Sequence, residues 1–378
     1  MGGSQKRDLP NIFLILLDQF RNDARDVHHF FAQMAEQGVL FSQTITYAPY
    51  TLASCHATLT GMYGRENGVN AYTKSDHFDA RQCYTMAQYL AAAGYHTRAY
   101  TFSPILLPHS GFDVFTSVSE EEEKDILASH RREIDAVFAR PEPCFSYLHY
   151  GEIHHDVVKQ VIKRYGNFDE EYFGNQEQNR QRYRQFASQA GEYLEQVVSY
   201  IREKDPDGDA LIIVMTDHGS SNGERPGEKA YGTFTYDYSI RIWHYWLWPG
   251  RLPSGQEITS QVRTIDILPT LLDLLGLKPK SGKKPVMGSS LLPVIRGEDR
   301  ENRLAFSETG GVDGAYPSPN SPNVRCVRDG RWKLIQNTTT NQFELFDLVV
   351  DPGEENNLYG KEIPQAERLW CRMTDFIV

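Results

Sequence analysis

The 378-residue sequence lacks the features that mark several classes of protein. Its five cysteines are odd in number and scattered, with neither a CxxC pair nor a zinc-knuckle spacing, so a disulfide framework and a structural zinc site are not expected. No apolar run approaches membrane-spanning length, and positive charge is in deficit because the formal net charge is −11. We therefore expect no membrane insertion, no nucleic acid as partner and a reducing, cytoplasmic location.

Short apolar runs alternate with helical patterns, which is typical of parallel βαβ units. We predict strands at "NIFLILLD", "VLFSQTITY", "CFSYLHY" and "ALIIVMTD", and helices near "VHHFFAQMAEQG", "TMAQYLAAAG" and residues 175–204. The run "NIFLILL" is short and lacks a small-residue cleavage site, so it indicates a buried strand rather than a signal peptide. A large α/β unit is the expected class.

The composition changes beyond Leu277, where "KPKSGKKPVMGSS" indicates a connecting loop. The pieces "RLAFSET", "NVRCVRDGRWKLIQN" and "FELFDLVVD" that follow are typical of hairpin strands, and "QAERLWCRMTDFIV" predicts a final helix. We therefore divide the chain into a large catalytic domain over residues 1–300 and a small C-terminal α+β subdomain over residues 301–378.

Two predicted strands, "LILLD" and "IVMTDHG", end in an aspartate. Ligands of open parallel sheets bind at the carboxyl ends of the strands. Asp18, Gln19, Asp217 and His218 would supply oxygen and nitrogen ligands there, which suit a divalent ion such as Mn, Zn, Ca or Mg. Either pair alone is a weak signal, because an Asp-His-Gly sequence after a strand is more often only a structural turn.

The segment "PYTLASCHATLTG" crowds hydroxyls, a thiol and an imidazole into a predicted turn-to-helix junction. Ser and Thr at such a junction most often cap the helix, so capping is the first expectation. A hydroxyl at a helix N-terminus could also face the predicted metal and gain from the helix dipole. The residues by themselves leave Thr51, Ser54 and Cys55 as alternative nucleophiles.

A family resemblance extends in order over nearly the whole chain. The sequence resembles the sulfatase branch of the alkaline phosphatase superfamily at "PNIFLILLDQFRND", "YAPYTLASCHATLTGMYGRENGV", "VMTDHG", "YGTFTYDYSIRI", "IDILPTLLDLLGL", "GSSLLP" and "RDGRWKLIQN" with "FELFDLVVDPGEENNL". The resemblance implies an α/β fold, an alkaline phosphatase-like α/β/α sandwich around a mostly parallel sheet, with a small C-terminal α+β subdomain.

The family spacing, counted back from Thr60-Gly61, places Thr51 at the nucleophile position. Sulfatases carry a Cys or Ser there that is oxidised to formylglycine, and Thr51 cannot be converted in this way. Ala53 and Cys55 stand where the family has Pro and Arg. The resemblance therefore implies a metal-dependent hydrolase of phosphate or phosphonate esters, mono- or diesters, that acts through a covalent Thr51 intermediate. Sulfate-ester hydrolysis, phosphoalcohol transfer and a noncatalytic metal-binding role remain alternatives.

The resemblance also implies roles for several helpers. His154 falls where the family has its leaving-group acid, with His155 as the alternative in register. Lys229 lies near the family's substrate-anion lysine, and Thr51 would ligate the metal together with the four strand-end residues. Arg21 and Tyr231 are expected to contact the substrate.

The expected partner is a small anionic ester, and a homo-oligomer is compatible with the sequence. One divalent ion, Mn, Zn or Ca, is predicted, because residues 151–204 hold no clean counterpart of the further ligand pair in two-metal relatives. Substrate specificity is expected in the loops at residues 159–184 and 310–323.

Overall fold

A nine-stranded sheet runs through the structure, a computed structural model that describes residues 9–377. The strands, in chain order, are β1 (Ile12–Leu17), β2 (Val39–Ile45), β3 (His96–Thr101), β4 (Val114–Ser117), β5 (Cys144–Tyr150), β6 (Leu211–Thr216), β7 (Arg241–Leu247), β8 (Gln256–Ile258) and β9 (Val262–Arg263). Their spatial order is β4-β3-β5-β1-β6-β7-β2-β8, with β9 paired to β2. The first predicted strand, β1, is therefore central.

Most neighbouring strands of this sheet are parallel. Strand β1 pairs in parallel with both β5 and β6, and β3 pairs in parallel with β4 and β5. Strand β7 is the exception, because it is antiparallel to both β6 and β2. The mostly parallel sheet expected from the alternating pattern is confirmed.

The helices cover both faces of the sheet. They are α1 (His29–Gln37), α2 (Thr51–Thr60), α3 (Gly64–Asn67), α4 (Met86–Ala92), α5 (Ile126–Phe138), α6 (Glu152–Val157), α7 (Glu170–Phe173), α8 (Gln176–Lys204), α9 (Asp237–Ile240), α10 (Ile267–Leu274) and α11 (Leu292–Ile295), with short 3₁₀ turns at Asn22–Val27, Tyr72–His77 and Thr264–Asp266 and a π turn at Val158–Ile162. None of the helices in residues 9–377 combines the length and apolar character needed to cross a bilayer.

The side chains of β1 show why the sheet is covered twice. Every residue of this strand is buried. Phe13, Ile15 and Leu17 pack into one apolar cluster with residues of α1, α5 and α8. Their neighbours Ile12, Leu14 and Leu16 point the other way, into a cluster with residues of α4, α10 and α11. Since successive side chains of a strand alternate between faces, this continuous apolar run needs helices on both sides, as in an α/β/α sandwich.

A second, antiparallel sheet follows near the C-terminus. Its strands β10 (Ala305–Thr309), β11 (Val324–Arg328), β12 (Trp332–Asn337) and β13 (Gln342–Asp347) lie in sequence order. The predicted hairpin at Asp329-Gly330 joins β11 to β12, and Gly330 has the positive φ of 97° that such a turn favours. Helix α12 (Ile363–Ile377) packs on this sheet through Ala366, Leu369 and Met373. The small α+β subdomain is thus confirmed, while the boundary at residue 300 remains a prediction.

Buried charges lie where the small sheet meets the large unit. Asp237 at the start of α9 accepts hydrogen bonds from Arg328 Nη2 and Lys333 Nζ, each at 2.9 Å. Lys333 also lies 2.7 Å from Glu354 Oε1, and Arg328 Nη1 donates to Gln261. All five of these side chains are buried. Each charge is therefore offset within the group, which ties the last strands to α9 and the loop before β9.

Candidate metal and nucleophile site

Two aspartates meet at one edge of the large sheet because their strands are neighbours. Leu17 at the end of β1 pairs in register with Thr216 at the end of β6. Asp18 and Asp217 therefore leave the sheet side by side. His218 follows Asp217, and one ligand atom from each of Asp18, Asp217 and His218 lies within 4.8 Å of the other two. The predicted strand-end cluster is thus assembled, and all three side chains are buried.

The hydroxyl of Thr51 points into this cluster. Thr51 is the first residue of α2, and its Oγ1 lies 3.3 Å from both carboxylate oxygens of Asp18 and 3.3 Å from His218 Nε2. Tyr50 occupies the N-cap position and makes no side-chain cap. Thr51 is therefore the hydroxyl that the start of the helix presents to the two strand ends.

The capping interpretation of this segment is wrong. Ser54 donates to the carbonyl of Asp217 at 2.9 Å and contacts Thr46 Oγ1 at 2.7 Å, so it ties α2 to the strand-end loop. Thr58 and Thr60 donate to carbonyls four residues earlier on the same helix. Cys55 packs in the apolar cluster behind the sheet, where burial raises its pKa well above the usual value. Neither Ser54 nor Cys55 shares the surroundings of Thr51.

Gln19 has a strained backbone beside the cluster. Its φ of 63° lies in the left-handed region, which a non-glycine residue adopts at a cost of about 1 kcal/mol or more. The conformation lets its N–H donate to Asp217 Oδ1 at 3.0 Å while its carbonyl accepts from Tyr183 Oη at 2.7 Å. Its side-chain Nε2 donates to Ser220 at 2.8 Å, and Oε1 is buried without a hydrogen-bond partner. Gln19 thus holds Asp217 and keeps one oxygen acceptor free.

The two carboxylates have opposite electrostatic surroundings. Burial opposes ionisation of Asp18, but the charges of His154, His149 and His218 outweigh it and hold the pKa of Asp18 well below its usual value. Burial and the nearby charge of Asp18 raise the pKa of Asp217. Among the described residues Asp217 Oδ2 has no hydrogen-bond partner, although His218 Nε2 lies 3.6 Å from it. Three imidazoles thus offset the charge of Asp18, whereas the charge of Asp217 is offset only in part.

His149 is a member of the site for which a purely structural role was the favoured expectation from the sequence. It lies in β5, the other neighbour of β1, and is fully buried. Its Nε2 is 3.1 Å from Asp18 Oδ2, and its Nδ1 is 3.1 Å from Thr101 Oγ1. His149 therefore orients Asp18. Its position one residue before the strand end was visible in "CFSYLHY", but its meaning required knowing that β5 lies beside β1.

Of the two adjacent histidines, His154 faces the cluster. Its Nδ1 is 4.0 Å from Asp18 Oδ1 and is buried without a hydrogen-bond partner, while its Nε2 lies 3.7 Å from Glu120. His155 is 37 % exposed and lies 3.9 Å from Glu152 on the same helix, so the structure does not bring it to the cluster. The acidic run at residues 120–125 ends at Asp125, the N-cap of α5.

Tyr231 closes one side of the cluster, whereas two predicted cations face other partners. The ring of Tyr231 lies 5.4 Å from that of His154 and 5.1 Å from that of His218. Arg21 is paired with Asp23 and Glu224, each at 2.7 Å, so its predicted contact with substrate is at odds with the partners it has here. The ammonium of Lys229 donates to two backbone carbonyls rather than to the cluster.

The residues at the strand ends fit a divalent cation. Two carboxylates and an imidazole converge, and Asp217 Oδ2 and Gln19 Oε1 are buried acceptors without partners. An oxygen-rich set with one imidazole is compatible with Mn, Zn and Ca. Within residues 9–377 a second group of potential ligands, His28, His29 and Glu195, is partly exposed, so the buried group remains the one that matches the prediction.

Comparison with known protein families agrees with this geometry. A family model described as Sulfatase matches residues 10–277, and one described as N-sulphoglucosamine sulphohydrolase, C-terminal, matches residues 229–376. An ulvan-active sulfatase from Formosa agariphila is 31 % identical over 42 % of this chain and 30 % of its own length. A choline-sulfatase from Rhizobium meliloti is 31 % identical over 40 % of this chain and 27 % of its own. The aligned part thus spans about a third of the length of such relatives.

Solved structures share the fold over nearly the whole chain. A protein solved in complex with its substrate D-glucosamine-2-N,6-O-disulfate aligns over 97 % of both chains with a TM-score of 0.76 and 17 % identity. A phosphonate monoester hydrolase from Silicibacter pomeroyi aligns over 97 % of this chain and 94 % of its own, with a TM-score of 0.72 and 18 % identity. At these identities the likeness concerns the fold alone.

Proposed function

We propose, from the premise that this chain belongs to the sulfatase family, that it is a metal-dependent hydrolase of small anionic esters and that sulfate esters are its first candidate substrates. The observation that carries the proposal is the hydroxyl of Thr51 at 3.3 Å from Asp18 and from His218, within a buried group of metal-ligand types. A nucleophile, two carboxylates and imidazoles thus converge on one point.

Each side chain has a distinct part in the proposed reaction. Asp18, Asp217, His218 and the side-chain oxygen of Gln19 would hold the divalent ion, which would supply Lewis acidity and offset the charge of the substrate's oxyanion. Thr51 Oγ1 gives up its proton to the carboxylate of Asp18, 3.3 Å away, and its oxygen displaces the alcohol from sulfur or phosphorus. His154 donates a proton to the departing alcohol oxygen. Water then cleaves the ester formed on Thr51, which restores the hydroxyl and releases the inorganic anion.

The relatives favour sulfate over other esters. Both family models carry sulfatase or sulphohydrolase descriptions, and the curated relatives are named sulfatases. This weighs against the phosphate or phosphonate preference expected from the sequence, which therefore becomes the second candidate.

One observation keeps phosphate and phosphonate esters as that second candidate. The residue that faces the metal-ligand group is Thr51, which cannot form an aldehyde, and Cys55 is packed away from it. Ester formation on an unmodified hydroxyl followed by hydrolysis is a coherent route for phosphoryl groups. The shared fold with a phosphonate monoester hydrolase is compatible with this route.

A panel of esters with one leaving group tests the proposal. The 4-nitrophenyl esters of sulfate, phosphate, methyl phosphate and phenylphosphonate would be compared by kcat/KM on protein loaded with Mn, Zn or Ca. The highest kcat/KM on the sulfate ester supports the first candidate, and the highest value on a phosphorus ester supports the second. Release of 4-nitrophenol that requires an added alcohol, with transfer of the oxyanion to that alcohol, would identify a phosphoalcohol transferase. No turnover by metal-loaded protein would leave a noncatalytic metal-binding relative.

A matched pair of valine variants tests the nucleophile. Thr51→Val keeps the shape of the side chain and removes the hydroxyl, so kcat should fall by several orders of magnitude, roughly as when other catalytic nucleophiles are removed. Thr58→Val makes the same change on the same buried helix, where the hydroxyl contacts only the carbonyl of Ser54, and should retain activity within a few-fold. Substantial turnover by Thr51→Val would contradict the assignment.

A further inference from the structure

A cavity opens beside the cluster at Tyr231. Tyr231 and Tyr72 both line it. Tyr231 also contacts the rings of His154 and His218, so the cavity begins where the metal-ligand group ends. Burial raises the pKa of Tyr72 to about 12 and that of Tyr231 well above its usual value. Both phenols are therefore neutral. The alcohol that is released when an ester reacts with Thr51 would lie next to this cavity.

The walls of the cavity are mostly apolar. Val158 and Ile162 come from the π turn after α6, Ala230 from the loop after β6, and Val312 from the loop after β10. Three glycines, Gly232, Gly311 and Gly314, complete the lining without side chains. Both loops expected from the sequence to carry specificity contribute to this lining. A ligand here would bury apolar surface rather than exchange hydrogen bonds.

Lys229 joins the walls of the cavity to each other. Its buried ammonium donates to the carbonyls of Ile162 at 3.1 Å and Tyr165 at 2.9 Å, and lies 3.3 Å from Asp313 Oδ2. Lys229 thus holds the wall formed by the π turn. It also pairs with Asp313, which belongs to the loop that forms the opposite wall. Since an ammonium has three N–H donors, these three partners account for all of them.

The other polar groups of the lining are also largely paired. Asn167 donates to Asp313 Oδ1 at 3.3 Å, and Thr233 donates to the Asp313 carbonyl at 3.2 Å. Asn167 Oδ1 is the exception, because it is buried without a partner. The lining therefore offers about one free acceptor to the hydrogen-bond donors of a ligand. A sugar ring carries several hydroxyls, and each one buried without a partner costs about 1–3 kcal/mol.

The size of the cavity sets a further limit. Its volume is about 180 Å³. An engineered apolar cavity of ~150 Å³ in another protein holds benzene. The space beside Tyr231 therefore accommodates one ring, and a saccharide chain does not fit within it.

We infer that the alcohol part of the substrate is compact and apolar, about one ring in size, and lies in this cavity, whose walls Lys229 positions. The inference rests on the proposed ester hydrolysis and adds the class of alcohol to it. Lys229 thereby acts as a positioning residue, because its donors hold the walls and leave none for the oxyanion.

Three alkyl esters of the preferred oxyanion test the alcohol class: the benzyl, methyl and glucose-6 esters. We expect kcat/KM for the benzyl ester to exceed the other two at least ~10-fold, since only its ring buries apolar surface in the cavity. A glucose ester that is turned over as well as the benzyl ester would overturn the inference.

A binding measurement keeps this test separate from the proposed reaction. If no ester is hydrolysed, the proposed function fails, yet calorimetry with benzylsulfonate and methanesulfonate on metal-loaded protein still reports on the cavity. Binding of benzylsulfonate that is at least ~10-fold tighter than that of methanesulfonate supports an apolar alcohol site in the cavity, and equal affinities overturn it.

The ratio of benzyl to methyl kcat/KM tests the role of Lys229. Lys229→Met releases the walls and should lower this ratio ~10-fold, mainly through KM for the benzyl ester, and Lys229→Arg should restore part of it. If Lys229 contacted the oxyanion, kcat/KM would fall equally for both esters and the ratio would stay constant. A constant ratio would therefore overturn the positioning role. Val312→Ser, at a 52 % exposed wall residue, should also lower the ratio. Its control, Val350→Ser at a 74 % exposed residue outside the cavity, should not.

Discussion

Buried aspartates occur in two regions of the molecule with opposite consequences. At the strand ends, Asp18 and Asp217 lie near each other, and one oxygen of Asp217 has no hydrogen-bond partner within residues 9–377. At the junction of the two sheets, burial also opposes ionisation of Asp237, but the charges of Arg328, Lys333 and Arg241 outweigh it and hold its pKa well below the usual value. The surroundings of Asp217 offset its charge only in part and its pKa is raised, whereas the charge of Asp237 is offset by its own neighbours.

This difference separates a binding site from a structural ion cluster. A buried charge is tolerated only when it is paired or hydrogen-bonded. The junction meets that condition within the protein, so it needs no ligand. At the strand ends, imidazoles meet it for Asp18, whereas a bound cation would meet it for Asp217, one of whose oxygens accepts no hydrogen bond within residues 9–377. Burial alone therefore does not mark a candidate ligand site, while a buried carboxylate whose charge is offset only in part does.

The largest expected effect is on catalysis at the strand ends. Asp217→Asn keeps the oxygen that accepts from the N–H groups of Gln19 and His218 and replaces the one without a partner. Turnover should fall by several orders of magnitude, as when one member of a catalytic unit is lost. The metal-free variant should nevertheless unfold at a Tm no lower than that of metal-free wild type, because the repulsion with Asp18 is removed. A clearly lower Tm would show that Asp217 is a structural residue.

An aspartate-to-asparagine substitution at the junction should lower stability and leave turnover unchanged. Asp237→Asn leaves Arg328 and Lys333 buried with too little negative charge and should lower the free energy of unfolding by about 3–5 kcal/mol. Chemical denaturation measures this loss. The kcat of the remaining folded protein should match wild type, and a loss of kcat comparable to that of Asp217→Asn would break the comparison.

Removal of the metal should distinguish the two regions through a smaller change in stability. With the free ion at about 100 times its Kd, binding stabilises the folded state by about 2.7 kcal/mol, so chelation should lower the Tm of wild type accordingly. The Tm of Asp217→Asn should respond much less to chelator, whereas the response of Asp237→Asn should equal that of wild type. An identical response of all three proteins would place the ion elsewhere.

The smallest effect concerns a buried histidine that belongs to neither group. Burial lowers the pKa of His244 from 6.5 to about 3. The unfolded chain binds the proton first, so the stabilising contribution is complete above pH 6.5 and declines as the pH falls toward 3. Between roughly pH 7 and pH 5 this residue should account for a loss of about 2 kcal/mol.

His244→Gln is the variant that isolates this contribution. It keeps an acceptor for Trp246 Nε1, which donates to His244 Nδ1 at 2.9 Å, but it does not titrate. Denaturation at the two pH values should show a shallower decline for the variant than for wild type. Equal slopes would mean that His244 titrates normally in the folded protein.

The core of the fold and site follows from local patterns in the sequence. The run "NIFLILLD" is apolar at every position, which only a central strand covered on both faces can bury, and its terminal aspartate therefore lies at the ligand-binding edge. The family spacing counted back from Thr60-Gly61 selects Thr51, where α2 begins; the helix ends at Thr60, and Gly61 caps it with a φ of 64°. The apolar run and the glycine at the helix end depend on periodicity and on the conformations allowed to one residue, so they are visible without tertiary information. The choice of Thr51 over Ser54 and Cys55 depends on the family resemblance.

The partners of these residues were decided by the tertiary structure. His149 gained its contact with Asp18 because β5 lies beside β1, an order that the sequence pattern does not specify. Lys229 lies near a family position for anion binding, yet the way two distant loops pack gives it carbonyl partners instead. Hydrophobic periodicity determines which face of an element is buried. The strand order and loop packing that bring distant residues together depend on non-local contacts, whose free energy no short stretch of sequence contains.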